Sequence, residues 1–376
     1  MPLIGLVTIT GQFSERSLTM AAIAGTPRVT AVAINKYIKK LTEPIMTNAR
    51  LLGVLQAKKR ITFNHDESQI RWRIRYKRNE PQVSMGYPIN VTFEMPNRIT
   101  EATLPWRSYV LGEAIPKLEK LIGRRDDTAF PRLVDNIVKW AMEDFQYYFQ
   151  KALYADGEAG TYALHGLESM FSYSGLLSSG KVGAPNDSYA GISTALGGIG
   201  GTWSGVWPAG SGDPEYCAWS PLIVDYTNSA FTPTGVTTAT WETNWRRATR
   251  FARAWLQGLQ GTDPDVMIMH PDMERAARDA TDSMSQLEVT VKSPIVDLGI
   301  KTVQFEGLEL VSDPFATSSV AYLLNTQKME LMSMQSQLVE VHKDTDPYAT
   351  DTFMFDFFGN MRFESPAYFA KLVKIS

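Results

Sequence analysis

Eight consecutive residues of this chain, at positions 70–77, alternate strictly between apolar and cationic side chains. The two sets are, in order, the apolar residues Ile70, Trp72, Ile74 and Tyr76 and the cationic residues Arg71, Arg73, Arg75 and Lys77. Because successive side chains of a β-strand point to opposite faces, this period of two predicts a strand with one apolar and one cationic face. A helix, with its period of 3.6 residues, would mix the two sets.

The cationic set predicts an interaction surface. Like charges in a row on one strand repel each other, so they favour anions nearby. We predict that the row forms an intermolecular contact with the acidic half of a neighbouring copy. A solvated edge that prevents aggregation is one alternative. Nucleic-acid binding is another, but the aromatic residues that would stack on bases lie on the opposite face of the strand.

The surrounding residues, 57–112, predict a long two-stranded β ribbon. Strand-like sequence lies at 61–63, 91–93 and 109–111, and residues 64–68 have the composition of a turn. Four prolines between positions 81 and 105 restrict these pieces to strand ends and edges. An isolated two-stranded ribbon is only marginally stable in water. This ribbon therefore needs a surface to pack on, and little of the neighbouring sequence offers one.

The strongest helix pattern begins near Asp127 and ends at residues 155–157. Its apolar residues recur at steps of three and four, which predicts an amphipathic helix roughly 35 Å long. They are Val134, Ile137, Val138, Ala141, Phe145, Tyr148, Phe149, Ala152 and Leu153. A shorter helix is predicted over residues 31–41, ahead of Pro44. Its apolar positions are Val32, Ile34, Tyr37, Ile38 and Leu41.

The second half of the chain predicts a mixed core. Residues 157–240 are Gly-rich and weakly periodic, which predicts surface loops or partner contacts. A helix is predicted from Trp241 to two closing glycines, Gly258 and Gly261, and another begins at Pro271. Strands are predicted at 266–269, 302–305, 308–311, 320–324, 329–334, 352–358 and 368–375. Gly359 and Asn360 have the composition of a two-residue hairpin turn. This mixture of elements indicates an α+β or α/β core.

Composition and charge exclude several classes of protein. No run of about 18 apolar residues occurs, which argues against a membrane-spanning helix, and residues 1–12 do not resemble a signal peptide. Cys217 is the single cysteine, so no internal disulfide and no cysteine-based zinc site is expected. The net charge of −3 argues against a dedicated nucleic-acid binder. It combines +8 over residues 1–150 with −11 over residues 151–376, which indicates two attracting surfaces, with random scatter as the alternative.

Motifs that would carry catalysis or metal binding are weak. The four histidines, His65, His165, His270 and His342, lack the spacing of metal ligands. Residues 175–181 match most of a phosphate-binding loop, but Val182 stands where a hydroxyl residue should bind magnesium, and no helix follows. We therefore predict no catalytic residue, no cofactor and no metal. A hydrolase or sugar-binding protein that uses Trp203, Trp207 and Trp219 is the alternative from a different class.

The order of these features resembles the major capsid proteins of tailed bacteriophages, which have the α+β HK97-like fold. A loose N-terminal arm, a basic hairpin and one long helix come first. The strand 266–269 then runs into His270-Pro271-Asp272-Met273-Glu274-Arg275, and the chain ends through Phe358-Gly359-Asn360 and Ser365-Pro366-Ala367. The resemblance rests on architecture and length, and it covers nearly the whole chain.

The resemblance implies five parts and a function in assembly. Residues 1–50 would be the N-arm, 51–112 the E-loop hairpin, 113–155 the P domain with its spine helix, 156–330 the A domain, and 331–376 the return through the P-domain sheet. The end of the chain would reach back to the A domain. The E-loop would lie across an adjacent subunit, and its basic face, Arg71, Arg73, Arg75 and Lys77, would be an intersubunit contact.

The resemblance also implies partners and a location. Copies of the chain would form hexamers and pentamers of an icosahedral shell in the virion, assembled in the host cytoplasm and not at a membrane. The shell would contact packaged double-stranded DNA without sequence preference, and scaffold, portal or decoration proteins are further expected partners. Some relatives join a lysine to an asparagine covalently, for which Lys58, Lys59 and Asn360 are candidates. A nanocompartment shell of the encapsulin type is the alternative within the same fold.

Overall fold

The computed structural model describes residues 50–78, 97–116, 129–158, 160, 162–282, 303–345 and 350–375. The helix predicted at 31–41 and the strand predicted at 91–93 lie outside the described residues. Within them, the helices of eight residues or more are α1 (Arg50–Ala57), α2 (Ala129–Tyr154), α3 (Trp241–Trp255) and α4 (Pro271–Asp282). No described helix is both long and apolar enough to cross a membrane.

Nineteen strands accompany these helices in the described residues. The first ten are β1 (Ile61–Thr62), β2 (Ile70–Arg75), β3 (Ile99–Leu104), β4 (Arg107–Pro116), β5 (Tyr173–Leu176), β6 (Gly183–Pro185), β7 (Ser188–Tyr189), β8 (Ile192–Ser193), β9 (Trp203–Ser204) and β10 (Ser211–Gly212). The others are β11 (Leu222–Asp225), β12 (Val266–Met269), β13 (Val303–Phe305), β14 (Leu308–Ser312), β15 (Val320–Leu324), β16 (Met329–Ser333), β17 (Glu340–Thr345), β18 (Thr350–Phe363) and β19 (Ala370–Val373).

Strand β18 organises a five-stranded sheet under the long helix α2. It pairs antiparallel with β4, β16 and β17, and β1 adds to β16 in parallel. The alternating Phe353, Phe355 and Phe357 of β18 are buried, as their spacing predicts. Two α2 residues, Phe145 and Phe149, contact them, with ring centroids 6.3 Å from Phe355 and 4.9 Å from Phe357, respectively.

The apolar stripe predicted for α2 is largely confirmed. Val138, Ala141, Phe145, Phe149 and Leu153 are all buried. The prediction is wrong for Tyr148, which is 52% exposed. Three residues correspond to a rotation of about 300° around the helix, which places Tyr148 about 60° to one side of Phe145, at the edge of the stripe.

A six-stranded sheet forms the second layer of the fold, in the order β11-β19-β15-β12-β14-β13. Strand β12, predicted with the same bounds, is buried on both faces. Val266 and Ile268 join the core on one side of this sheet, and Met267 and Met269 join the core under α3 and α4 on the other side. A strand with no solvent face explains why these residues form an unbroken apolar run.

The C-terminal strand β19 lies inside this sheet, parallel to β11 and antiparallel to β15. The end of the chain therefore returns to residues that lie far away in sequence, as the resemblance implied. The boundaries of the five parts remain a prediction.

Helix α3 ends differently from the prediction. Gly258 lies inside a π-helical turn, Leu256–Gln260, that continues α3, and so it does not close the helix. Gly261 ends the helix, because it adopts the left-handed conformation, with φ of 62°, that is common at the ends of helices. Helix α4 begins at Pro271, as predicted, and carries Asp272 and Glu274 in its first turn.

The hairpin turn predicted at Gly359 and Asn360 is wrong, because β18 continues through both residues to Phe363. Asn360 is fully buried, its Oδ1 accepts from the His165 amide at 3.0 Å, and its Nδ2 donates to the Pro105 carbonyl at 2.9 Å. A Cβ atom at Gly359 would lie 2.3 Å from the carbonyl oxygen of Met332. The glycine therefore allows a close approach of two strands, and composition alone does not distinguish this from a turn.

Replacing Gly359 by alanine is expected to lower the free energy of unfolding by about 1–3 kcal/mol, because the new methyl group meets backbone atoms of β16 that cannot move independently. Gly112 of β4 is the matched control, since a Cβ atom there has no neighbour within 4 Å. Urea denaturation of both variants measures the difference. Equal stability of the two variants would contradict the close-approach explanation.

Residues 157–240 contribute to the core, contrary to the prediction of surface loops. Tyr189 and Trp219 are almost fully buried, and their rings stack with centroids 6.2 Å apart. The Tyr189 hydroxyl donates to the Met361 carbonyl at 3.0 Å and accepts from the Phe363 amide at 3.0 Å. These irregular segments are therefore fixed by aromatic packing and by hydrogen bonds to β18.

Candidate assembly surface

Strands β2 and β3 form the root of the predicted ribbon. They pair antiparallel from Ile70 opposite Leu104 to Arg75 opposite Ile99. Exposure alternates along β2 as the sequence predicts. Ile70 is buried, Trp72 and Ile74 are half-buried, and the arginines that alternate with them are exposed. Residues 79–96, between the two strands, lie outside the described residues.

The ends of the predicted ribbon pair elsewhere. Residues 61–62 form β1, which adds to β16, and the strand around Tyr109 is part of β4, which pairs with β18. Within the described residues, the two-stranded ribbon therefore consists of β2 and β3. Local strand propensity correctly indicated the elements, but their partners lie more than 200 residues away.

The apolar face of the ribbon packs on the same chain. Trp72 lies against Tyr189 and Trp219, with ring centroids 6.3 and 6.5 Å away. Its indole Nε1 donates to the Glu364 carbonyl at 3.0 Å, and the Arg362 guanidinium lies 5.9 Å from the centroid of its ring. The packing surface of this root comes from residues 189–219 and 362–364, which are distant in sequence from the ribbon but belong to the same chain.

The cationic face of the ribbon points away from this core. Arg71 lies 3.8 Å from Glu101 of β3, and both side chains are about half-exposed. Lys77 lies 3.5 Å from Glu215, whose side chain is mostly buried. Among the described residues, these two are the ion pairs that the cationic row forms. Arg73 and Arg75 are exposed. An exposed ion pair such as that of Arg71 and Glu101 contributes at most about 1 kcal/mol, so the arginines of the row remain available to another surface.

The weak catalytic motifs have structural explanations. Residues 175–181 include the end of β5 and most of the loop that connects β5 to its antiparallel partner β6, which agrees with their interpretation as an ordinary loop. His165 is buried, and its burial and the nearby Arg107 lower its pKa to about 4, so its ring is neutral at pH 7. His342 lies 3.3 Å from Asp356. The described residues contain no group of three or more histidine, cysteine or acidic side chains that could hold a metal ion.

The tryptophans proposed for sugar stacking do not form an open surface. Trp207 and Trp219 are buried in the core, so the sugar-binding alternative is wrong for both. Trp203 stacks on Tyr216 at 5.8 Å, and its Nε1 donates to the Ala209 carbonyl at 3.1 Å. These rings fix the irregular loops in place.

Two of the three residues proposed for covalent cross-linking, Lys58 and Asn360, are engaged within the chain, whereas Lys59 is exposed. The Lys58 ammonium lies 3.4 Å from Asp265 and 3.6 Å from Glu309. Asn360 is buried and bonded through both amide atoms. A bond between Asn360 and a neighbouring subunit would require the opening of β18.

Comparisons with known proteins identify the fold. No family model matches the chain, and no curated protein sequence matches it. Among solved structures, a chain of the Cyanophage A-1(L) capsid asymmetric unit superimposes with a TM-score of 0.55 and 14% identity, over 88% of this chain and 93% of that chain. This similarity along almost the whole of both chains, together with the two sheets and the long helix, shows that the chain has the α+β HK97-like capsid fold.

Other shell proteins are similar to a lesser degree. The capsid of a native GTA particle gives a TM-score of 0.49 with 13% identity, over 99% of both chains. The SrpI encapsulin from Synechococcus elongatus PCC 7942 gives a TM-score of 0.47 with 10% identity, over 87% of this chain and 88% of that chain. The assignment of the fold rests on the cyanophage capsid.

Proposed function

We propose that this chain is a major capsid protein, a structural subunit and not an enzyme, that assembles into hexamers and pentamers of an icosahedral shell around double-stranded DNA. The observation that carries the proposal is the similarity to a cyanophage capsid chain along 88% of the sequence. Many modest contacts repeated by symmetry would hold such a shell together. Sedimentation velocity of the purified protein tests it, with species far larger than 42 kDa as the expected result and a monomer as the contrary one.

The proposal assigns an assembly function to each part of the chain. Residues 1–50 act as an N-arm, of which the extended residues 1–30 clamp an adjacent subunit, and residues 51–112 act as an E-loop that also clamps an adjacent subunit. Residues 113–155 and 331–376 build the P domain, and residues 156–330 build the A domain around the capsomer axis. The rigid anchoring of Trp72 supports this assignment, because a clamp transmits force only from a fixed root.

The row Arg71, Arg73, Arg75 and Lys77 is the proposed intersubunit contact. Reversing three charges, with Arg71→Glu, Arg73→Glu and Arg75→Glu together, is expected to reduce assembly at least tenfold at low salt, because attraction to acidic groups becomes repulsion. The exposed arginines lie outside the core, so the subunit is expected to stay folded. Sedimentation velocity measures the assembled fraction, and circular dichroism checks the fold.

The matched control carries the same change of charge at exposed cations away from the ribbon, with Arg247→Glu, Arg275→Glu and Lys374→Glu together. We expect this control to assemble markedly better than the ribbon variant. Equal assembly of the two variants would remove the row from the intersubunit surface.

Assembly is also expected to weaken as the salt concentration rises. The basic first part of the chain and the acidic second part would attract each other between neighbouring copies, and salt screens exposed charges beyond about 10 Å at 0.1 M. Light scattering at 50 mM and 500 mM salt measures the effect. Capsomers of equal stability at both concentrations would mean that the charge asymmetry is scatter.

The proposed contents of the shell are packaged DNA, and the proposed location is the virion, assembled in the host cytoplasm with scaffold, portal or decoration proteins as further partners. The net charge of −3 suits a lining that holds DNA without strong phosphate binding. Nuclease-resistant DNA inside particles isolated from the host is the expected result. Protein cargo in place of DNA would instead identify an encapsulin-type compartment.

A further inference from the structure

Helix α2 carries an aromatic stripe on the side opposite the core. It consists of Trp140, Tyr147 and Tyr148, whose side chains are 57%, 53% and 52% exposed. Positions i, i+7 and i+8 share one face of a helix. The rings of Tyr147 and Tyr148 meet edge to face at 5.3 Å, and Tyr147 contacts Phe315 in the same way at 5.2 Å. Three large aromatic side chains exposed on one face of a helix are typical of a binding surface.

The described chain begins beside one end of this stripe. Arg50 bonds to the backbone and side chain of Ser312, and the Leu51 amide donates to Asp313 at 3.2 Å. Asp313 also accepts from the hydroxyl of Tyr154, the last residue of α2, at 2.8 Å. Phe315, two residues beyond Asp313, touches the stripe at Tyr147. Residues 1–49 therefore precede a point fixed at the C-terminal end of α2.

We propose that residues 31–41 of the same chain cover the aromatic stripe. The sequence predicts an amphipathic helix there, with five apolar residues. A helix of eleven residues is marginal in water on its own, since isolated helices need about 12–15 residues, so it requires a surface. Its length of about 16 Å matches the stripe, which extends about 12 Å from position 140 to position 148.

The connecting chain is long enough for this arrangement. Eight residues, 42–49, join the predicted helix to Arg50. Fully extended, they span at most about 28 Å. The distance along α2 from Tyr154 to Trp140 is about 21 Å, at 1.5 Å per residue. The segment can therefore reach the whole stripe without leaving its own chain.

Charge also favours this occupant. The polar residues of the predicted helix include Lys36, Lys39 and Lys40. The exposed residues between the aromatic side chains of α2 include Glu143 and Asp144. A segment whose apolar residues contact the aromatic side chains would thus bring its lysines close to these carboxylates.

Disulfide trapping in the full chain tests the contact. Ile38→Cys combined with Tyr148→Cys is expected to form an intrachain disulfide in high yield, seen as a faster monomer band without reductant and confirmed by mass spectrometry. The control pairs Ile38→Cys with Lys139→Cys, which is exposed on α2 about 120° from the stripe. The native Cys217 is buried. A disulfide-linked dimer would mean that the segment docks on a neighbouring copy. A disulfide yield equal to that of the control pair would mean that the segment does not dock on the stripe. Either result overturns the proposal.

Hydroxyl-radical labelling provides a second measurement that does not depend on introduced cysteines. In the wild-type chain, Trp140, Tyr147 and Tyr148 are expected to be labelled at least threefold more slowly than in the variant Ile34→Asp/Ile38→Asp, which removes the apolar face of the segment. Equal labelling in both proteins would overturn the proposal. The result does not depend on whether a shell forms, because unassembled subunits can be labelled.

Discussion

Replacing Asp313 by alanine is expected to lower the free energy of unfolding by about 3–5 kcal/mol. The carboxylate is almost fully buried and accepts from the Leu51 amide, the Tyr154 hydroxyl and the Phe315 amide. Alanine leaves these donors without their acceptor in the core, and each bond to a charged group contributes about 1.5–3 kcal/mol. The carboxylate thereby connects α1, α2 and the end of β14.

Urea denaturation of the unassembled subunit measures this effect. Asp313→Asn keeps the shape and one acceptor oxygen, so it is expected to lose less stability than alanine. Asp279→Ala, at an exposed position of α4, is the control and is expected to change stability by less than about 0.5 kcal/mol. If Asp313→Ala were as stable as Asp279→Ala, the carboxylate would not hold the three elements together.

Replacing Glu168 by alanine is expected to cost a similar amount, about 3–5 kcal/mol. The carboxylate lies 2.5 Å from the ammonium of Lys371 on β19, whose side chain is only 7% exposed, and it also accepts from the Tyr322 hydroxyl. Removing one partner leaves a buried charge uncompensated. Burial, and then the nearby charge of Glu168, raise the pKa of Tyr322 well above its usual value, so this hydroxyl stays protonated and keeps donating.

The double variant Glu168→Met/Lys371→Met distinguishes the effect of the ion pair on stability from the effect of the packing around it. Removing both charges leaves no buried ion, so the double variant is expected to be at least about 2 kcal/mol more stable than Glu168→Ala. Tyr322 keeps Thr317 as a partner at 3.3 Å. Urea denaturation of the three proteins measures the difference. A double variant less stable than the single variant would contradict the role of the unpaired lysine.

Elements whose own residues carry the pattern could be predicted from the sequence. Strand β12 and strand β15 have the predicted bounds, because continuous apolar runs of four or five residues fit strands buried on both faces. Helix α4 begins at its proline, and the alternation of β2 is visible in its exposure. In each case the feature can be recognised from residues that are adjacent in sequence.

Features that depend on distant partners could not be predicted. Gly359 and Asn360 look like a turn, and only the approach of β16 and the buried amide contacts of Asn360 explain them. Trp219 lies in a Gly-rich segment with no period, and its burial depends on Tyr189 and on Trp72 of the ribbon. No local pattern contains these partners.

The candidate site shows the same division. The cationic row was visible as alternation, but its partners were not. Glu101 becomes a neighbour of Arg71 through the register of β2 and β3, and Glu215 reaches Lys77 from a short helical turn more than 130 residues away. The exposed stripe on α2 was missed because Tyr148 fits the apolar spacing of the core face.

Negative-stain electron microscopy of the purified protein tests the central claim most directly. A subunit with this fold and with an exposed cationic ribbon is expected to form closed particles, tubes, or rings of five or six subunits at low salt. The Arg71→Glu/Arg73→Glu/Arg75→Glu variant, viewed beside it, is expected to show few of them. A uniform field of 42 kDa monomers at every salt concentration would contradict the assignment of this chain as a shell subunit.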